Sequence, residues 1–328
     1  METKAKLLLA LTTTIALSGC ATDGSDLSFS EKMRRLYKSN IEFYMPPRQA
    51  AINQFNDIVV YSETNESPAT LNIVESRLAK ASIAGQPYFH DVSQKIAGNH
   101  DETTGILKIE TAPVNVSTRS YRERRDQCYV DDTVRTCSGE DAFFTYVSCS
   151  GIYATVSAEY ELVNSNQEVI IPATTVKRRV ESEKCSDESG SVLSKKAITE
   201  KVQRSLGYKI ARQLTPRTIE RPNDLVTSLD VHDGEVARSV KELRKQASKG
   251  DLFTPLESYI ELSKEVPESA SLLFNIGYLY QATGNFEQAQ AYFKKAQDYG
   301  FEDTDLLEKH MAEVASWLHK GVTQLSSM

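Results

Sequence analysis

The chain has 328 residues, with 45 acidic and 38 basic side chains and a formal net charge of -7; 40% of its residues are hydrophobic and 8% aromatic. This is the balance of an ordinary globular chain with length for two domains, and it lacks the basic domain that a nucleic-acid partner requires. Beyond its start, no apolar run approaches the roughly 20 residues that a membrane-spanning helix needs.

The chain opens with Lys4 and Lys6, the apolar run "LLLALTTTIAL", and small residues leading to Cys20. A basic start followed by an apolar run too short to span reads as an export signal over residues 1–19, to be kept out of the fold. Its ending, Leu17-Ser18-Gly19-Cys20, resembles the bacterial lipobox. The resemblance implies cleavage before Cys20 and a diacylglycerol on its thiol. Two acyl chains plus a third on the amino group anchor stably where one chain is marginal. Ala21, rather than Asp, follows Cys20, which implies the outer membrane of a Gram-negative bacterium, with the protein taken as facing the periplasm.

Setting Cys20 aside leaves Cys128, Cys137, Cys149 and Cys185. An even number in an exported chain predicts two disulfides, with Cys128–Cys137 and Cys149–Cys185 favoured among the three connectivities. None of the spacings offers the tight pairs of a zinc site.

Residues 20–51 read as the lipidated cysteine and a polar tether, with a short helix at "EKMRRLYKSN" that Pro46 and Pro47 stop. The folded part then begins at residue 52. A strand is expected at Asp57 to Ser62, and a helix over "SPATLNIVESRLAKASIAG", with Leu71, Val74, Leu78 and Ala81 on one face and Gly85 at its end. "PYFHDVSQKI" and "GILKIETAPVNVSTRSYRER" read as extended. The alternation of Ile152, Ala154, Val156, Ala158, Tyr160 and Leu162 with polar residues marks a strand with one apolar face. Asn164-Ser165-Asn166 turns it back into "QEVIIPATTVKRRVESEKC". Cys149 then comes near Cys185 a few residues out of register, an offset that a bulge or a frayed end must absorb. Ile198, Val202, Leu206, Ile210 and Leu214 form a helical stripe closed by Pro216.

The order strand, helix, strands, hairpin, helix over residues 52–218 resembles the small α+β domain shared by the amino-terminal part of TolB and the periplasmic part of the curli-secretion lipoprotein CsgG. The resemblance rests on the helix running into the edge strand at Pro87-Tyr88-Phe89, on the hairpin "VSAEYELVNSNQEVII", and on the helix ending "IARQLTP". It implies an α+β fold with a mixed or antiparallel sheet packed with helices.

A polar linker, residues 219–234, leads to an all-α region, residues 235–328. There "SLLFNIGYLYQATGNFEQAQAYFKKAQDYG" resembles a tetratricopeptide repeat, through Leu273, Ile276, Gly277, Tyr280, Gly284, Ala289, Phe293 and Ala296. Phe301 stands where that family often has proline. Gly277 and Ala289 are small where two helices press together, and Gly284-Asn285 permits the turn between them. One repeat earlier a fainter copy spans "EVARSVKELRKQASK" and "TPLESYIELSKE", with Leu243 and Pro255 at the small positions. "TDLLEKHMAEVASWLHKGV", with Leu307, Met311, Val314 and Leu318 on one face, reads as a capping helix.

Catalytic and metal motifs are missing. His90, His100, His232, His310 and His319 form no H-E-x-x-H or other tight pair, and Asp230, His232 and Asp233 read as a solvated linker. Ser150 lacks a G-x-S-x-G elbow. The basic clusters Arg119, Arg122, Arg124, Arg125 and Lys177, Arg178, Arg179 are compatible with an acidic partner or lipopolysaccharide phosphates, and read more simply as solvated strand ends that discourage edge pairing. The expected protein is therefore a non-catalytic, cofactor-free envelope lipoprotein. It acts as a scaffold through a partner held in the repeat groove and touches the membrane through Cys20. Self-association stays open. The alternative is a subunit of a CsgG-like secretion complex, which needs two lipid-facing hairpins. Only residues 143–181 offer one, since "STRSYRERRDQCYVDDTVRTC" is too charged.

Overall fold

The computed structural model describes residues 40–64, 66–94, 102–130, 133–136, 143–230 and 233–325, and only the backbone for strand residues 127–136. The chain divides into two units, Met1–Ser39 and Asn40–Met328, and everything below concerns the second. The export signal, Cys20, the helix expected at "EKMRRLYKSN" up to Ser39, and the Cys128–Cys137 pair lie outside what is described.

The fold is α+β with a helical C-terminal region. Its largest sheet is organised by β9 (Phe143–Val163), which the alternating pattern of apolar and polar residues announces. On one side β9 pairs antiparallel with β10 (Val169–Cys185). On the other it pairs in turn with β6 (Thr104–Thr111) and β7 (Asn115–Val130), both antiparallel. Beyond β6 lie β2 (Asp57–Tyr61) and β5 (Asp91–Ser93), parallel to it in the order β5-β2-β6. β8 (Thr133–Thr136) pairs with the far end of β7. The sheet is therefore broad at one end and narrows to β7, β9 and β10, a three-stranded arm.

Two helices cover one face of the broad end. In α1 (Pro68–Ala79) Leu71, Val74 and Leu78 are buried, and in α2 (Lys195–Leu214) the whole stripe Ile198, Val202, Leu206, Ile210 and Leu214 is buried. They share a core with Ile58, Val60, Leu107, Ile109 and the even-numbered positions of β9 from Ile152 to Leu162. Gly207 is the closest approach: a Cβ there would sit 2.8 Å from the Thr70 carbonyl oxygen and 2.9 Å from Ile73 Cβ. Helix α1 ends earlier than expected. Ala84 and Gly85 both have positive φ, at 51° and 82°, and make the two-residue turn between β3 (Ser82–Ile83) and β4 (Gln86–Pro87).

The β9–β10 register puts Cys185 opposite Cys149, and the two are disulfide-bonded. The expected offset is taken up by irregularities between Val169 and Ile171 and between Ile171 and Thr174, around Pro172, where a residue without an N–H is tolerated.

Two boundaries differ from the sequence reading. The tether segment contains β1 (Asn40–Met45), and the linker segment contains most of β11 (Arg217–Pro222), which pair antiparallel as a separate ribbon. Ile41, Phe43 and Met45 of β1 are buried in the helical core. Pairing between strands this far apart in sequence leaves no local signal, and alternate charged residues on β11 disguise it as linker.

The helices α3 (Gly234–Ala247), α4 (Phe253–Glu265), α5 (Ala270–Thr283), α6 (Phe286–Asp298) and α7 (Thr304–His319) follow. Asp233 caps α3, its Oδ1 accepting from Glu235 N at 2.8 Å and Val236 N at 3.1 Å. Asp230 accepts from Ser269 Oγ and from the Ala270 amide at the start of α5. These two acids of the linker are helix caps.

Candidate functional site

All eight positions expected for the repeat lie in α5, α6 and the turn between them. Leu273, Ile276, Ala289, Phe293 and Ala296 are buried. A Cβ on Gly277 would lie 2.7 Å from Phe293 Cδ1, so the small residue is what lets the two helices close. Gly284 is left-handed, φ 83°, and caps α5. Phe301, the departure from the usual proline, stacks on Phe274 at 4.4 Å between ring centroids. The tetratricopeptide repeat family matches residues 270–299. No characterised protein sequence matches the chain. A crystal structure of a minor lipoprotein from Acinetobacter baumannii is similar over 49% of this chain and 89% of that one, at 8% identity and a TM-score of 0.26, too low to bear on fold or function.

Residues 221–226 lie along α5 and α7 and reach the end of α3. Asn275 of α5 holds Val226 by both backbone groups, its Oδ1 accepting from Val226 N at 2.8 Å and its Nδ2 donating to Val226 O at 2.9 Å. The Tyr278 hydroxyl accepts from Asp224 N at 3.1 Å and donates to Pro222 O at 3.0 Å. Asn223 Nδ2 reaches Ser248 beyond α3 at 2.9 Å. From α7, Lys309 Nζ sits 3.0 Å from Asp224 Oδ2, and Glu313 takes Arg221 in a two-pronged pair at 2.6 and 2.7 Å. Phe43 of β1 packs edge-on against Tyr278, and Leu225 is buried. The place expected to receive a partner peptide is thus taken by residues 221–226, with β1 beside them.

His310 lies beneath this segment, fully buried. Gln281 Nε2 donates to Glu313 Oε2 at 3.1 Å, which turns Gln281 Oε1 toward His310 Nδ1 at 2.8 Å. His310 Nε2 is 3.4 Å from Asp224 Oδ2. Burial pulls the imidazole below its ordinary pKa, with Asp224 opposing the shift. Burial also pushes the Tyr278 hydroxyl up. The helical stripe of α7 therefore runs through Leu307, His310 and Val314, with Met311 and Leu318 half-buried beside it. Sequence reasoning passed over His310 because it is polar on an apolar face.

The repeat's outer surface is mostly polar, and it carries three tyrosines, Tyr280 and Tyr292 half-buried and Tyr299 exposed. Tyr280 and Tyr292 stack at 5.5 Å, Lys295 lies 4.8 Å from the Tyr292 ring, and Tyr299 is exposed. Ser150 sits mid-strand in β9, opposite Ser120 and Lys184, not on the strand-to-helix turn of a hydrolase nucleophile. Glu123, Cys149 and Cys185 cluster closely enough to suggest metal ligands, but both sulfurs are spent in the disulfide. No helix among the described residues is long and apolar enough to cross a membrane.

Proposed function

We propose that this is a lipid-anchored, non-catalytic envelope protein of a Gram-negative bacterium, held to the outer membrane through Cys20 and acting as an adaptor by protein–protein contact. The observation that carries the reading is the tetratricopeptide repeat at residues 270–299, a unit whose general use is protein recognition. The lipobox-like Leu17-Ser18-Gly19-Cys20 supports the anchor. With residues 221–226 lying along α3, α5 and α7, the partner is received on the outward face that carries Tyr280, Tyr292 and Tyr299, residue types that dominate binding hot spots.

The test is crosslinking and affinity purification of the full lipidated protein from cells, followed by mass spectrometry. Point substitutions serve better than deleting the helices, which cover β1. The expected result is one envelope protein recovered with wild type and lost with Tyr292→Ala plus Tyr299→Ala. A large homo-oligomer unaffected by those changes would instead support the secretion-complex alternative. Cys20→Ala is expected to abolish incorporation of labelled palmitate, and unchanged labelling would sink the anchor.

A further inference from the structure

The arm has two unlike faces. Side chains directly opposite in antiparallel strands share a face, so β9–β10 and β7–β9 registers sort every residue. One face carries Val147, Cys149, Tyr121, Arg119, Glu183, Tyr153 and Arg125. Its cations are neutralised: Arg119 contacts Glu183 at 2.5 Å, and Arg125 lies 3.4, 3.6 and 3.0 Å from Glu123, Asp187 and Glu188. Glu183 also accepts from the hydroxyls of Tyr121 and Tyr153, at 3.1 and 2.9 Å.

The other face continues the side that α1 and α2 cover at the broad end. Past Ile152 the helices stop, and this face is open. It presents Phe144 and Tyr146, exposed by 58% and 60%, in edge-to-face contact at 6.1 Å. Arg124 lies 4.7 Å from the Phe144 ring and pairs at 3.2 Å with Asp126 on the same face, both side chains more than half exposed. Next along the strands comes a shallow depression of about 570 Å³ lined by hydroxyl-bearing Ser120, Ser148, Ser150 and Ser186 together with Arg122 and Lys184. Among the described residues Lys184 donates to a neutral group, the Gly190 carbonyl, and meets no carboxylate. In a chain whose net charge is -7, the described residues of this face set three cations, Arg122, Arg124 and Lys184, against one carboxylate, Asp126, beside two exposed aromatic rings.

We propose that this face of the arm docks on an anionic phospholipid surface. Arg122 and Lys184, with the serine hydroxyls, suit headgroup phosphate oxygens. Phe144 and Tyr146, one register step away, suit the interfacial layer just beneath, with Arg124 keeping its guanidinium in the headgroups. An acidic protein would meet the charges but would leave a reason for two adjacent, highly exposed rings unsupplied. The proposal is independent of Cys20, so it is tested on residues 40–328, the compact unit without the anchor.

The experiment is sedimentation with phosphatidylcholine vesicles, with and without about one-third phosphatidylglycerol. Binding is expected only to the anionic vesicles, and is expected to be lost in high salt. At about fivefold per basic residue, Arg122→Ala and Lys184→Ala each weaken it about fivefold and together about 30-fold, while Arg119→Ala on the neutralised face leaves it unchanged. A Tyr146→Trp variant is expected to show a blue-shifted emission on adding anionic vesicles. Matching melting curves establish that each variant is folded. Equal binding to both vesicle types, no binding, or a double variant that binds like wild type overturns the proposal. Retention of polyglutamate without vesicle binding assigns the face to an acidic protein and equally overturns it.

Discussion

The groove of the helical region and the open face of the arm handle polar groups in opposite ways. Along residues 221–226, backbone and side-chain groups are matched from α3, α5 and α7: Val226 by Asn275, Asp224 and Pro222 by Tyr278, Arg221 by Glu313. On the open face of the arm, among the described residues, no carboxylate completes Arg122 or Lys184, and Phe144 and Tyr146 stay exposed. The first is satisfied by its own chain, and removing a member should cost stability. The second is not complete in the fold, and removing a member should cost little stability but should cost binding.

The largest expected effect is in the groove. Asn275→Ala leaves both backbone groups of the half-buried Val226 without their partners and should destabilise by about 3–4 kcal/mol, read as a shifted denaturant midpoint at constant slope. A loss below about 1 kcal/mol would mean that the segment is only loosely held. Next is the disulfide that closes the far end of β10 in the arm. Cys149→Ser with Cys185→Ser is expected to cost about 2–4 kcal/mol, and wild type should approach the variant in reductant. Unchanged melting would show that strand pairing alone fixes the register.

Gly277→Ala brings a methyl group against the Phe293 ring and should cost about 1–3 kcal/mol by overpacking. Melting curves of the paired variant Gly277→Ala, Phe293→Leu should recover part of that loss, and no recovery would remove the steric explanation. A smaller effect concerns His310. Because burial lowers its pKa in the folded state, the unfolded chain binds the extra proton first. Its contribution is therefore complete above the ordinary histidine value of about 6.5 and declines as pH falls below it. His310→Gln should flatten the stability profile in that range, and an unchanged profile would assign the dependence elsewhere. Smallest of all, Arg119→Ala on the solvated, neutralised face should leave melting unchanged.

Much of this was written locally. The alternation through Ile152 to Leu162, the stripe Ile198 to Leu214, the Cys149–Cys185 pairing and the small residues Gly277 and Ala289 each follow from a period or a spacing that sequence displays. The misread parts depend on partners distant in the chain. "RPNDLV" has the composition of a solvated linker, and nothing near it tells that Asn275 and Tyr278 will meet its backbone. β1 is apolar at Ile41, Phe43 and Met45, yet its alternation is short and its partner β11 begins at Arg217. Gly85 reads as a helix stop but with Ala84 forms a hairpin turn, because a positive φ at both residues is a property of conformation that only the glycine advertises. The open face of the arm was the hardest to see. The arginines read as one cluster until register divided them between two faces.

One core gathers both ends of the described chain: Ile41, Phe43 and Met45 lie in the same cluster as Val322 and Leu325, and Asn53 Nδ2 donates to Gln324 O at 2.7 Å. A chain made residue by residue must therefore keep β1 waiting until nearly the last described residues have been added. A product stopped short of α5 lacks Tyr278, against which Phe43 packs, and leaves that apolar strand uncovered.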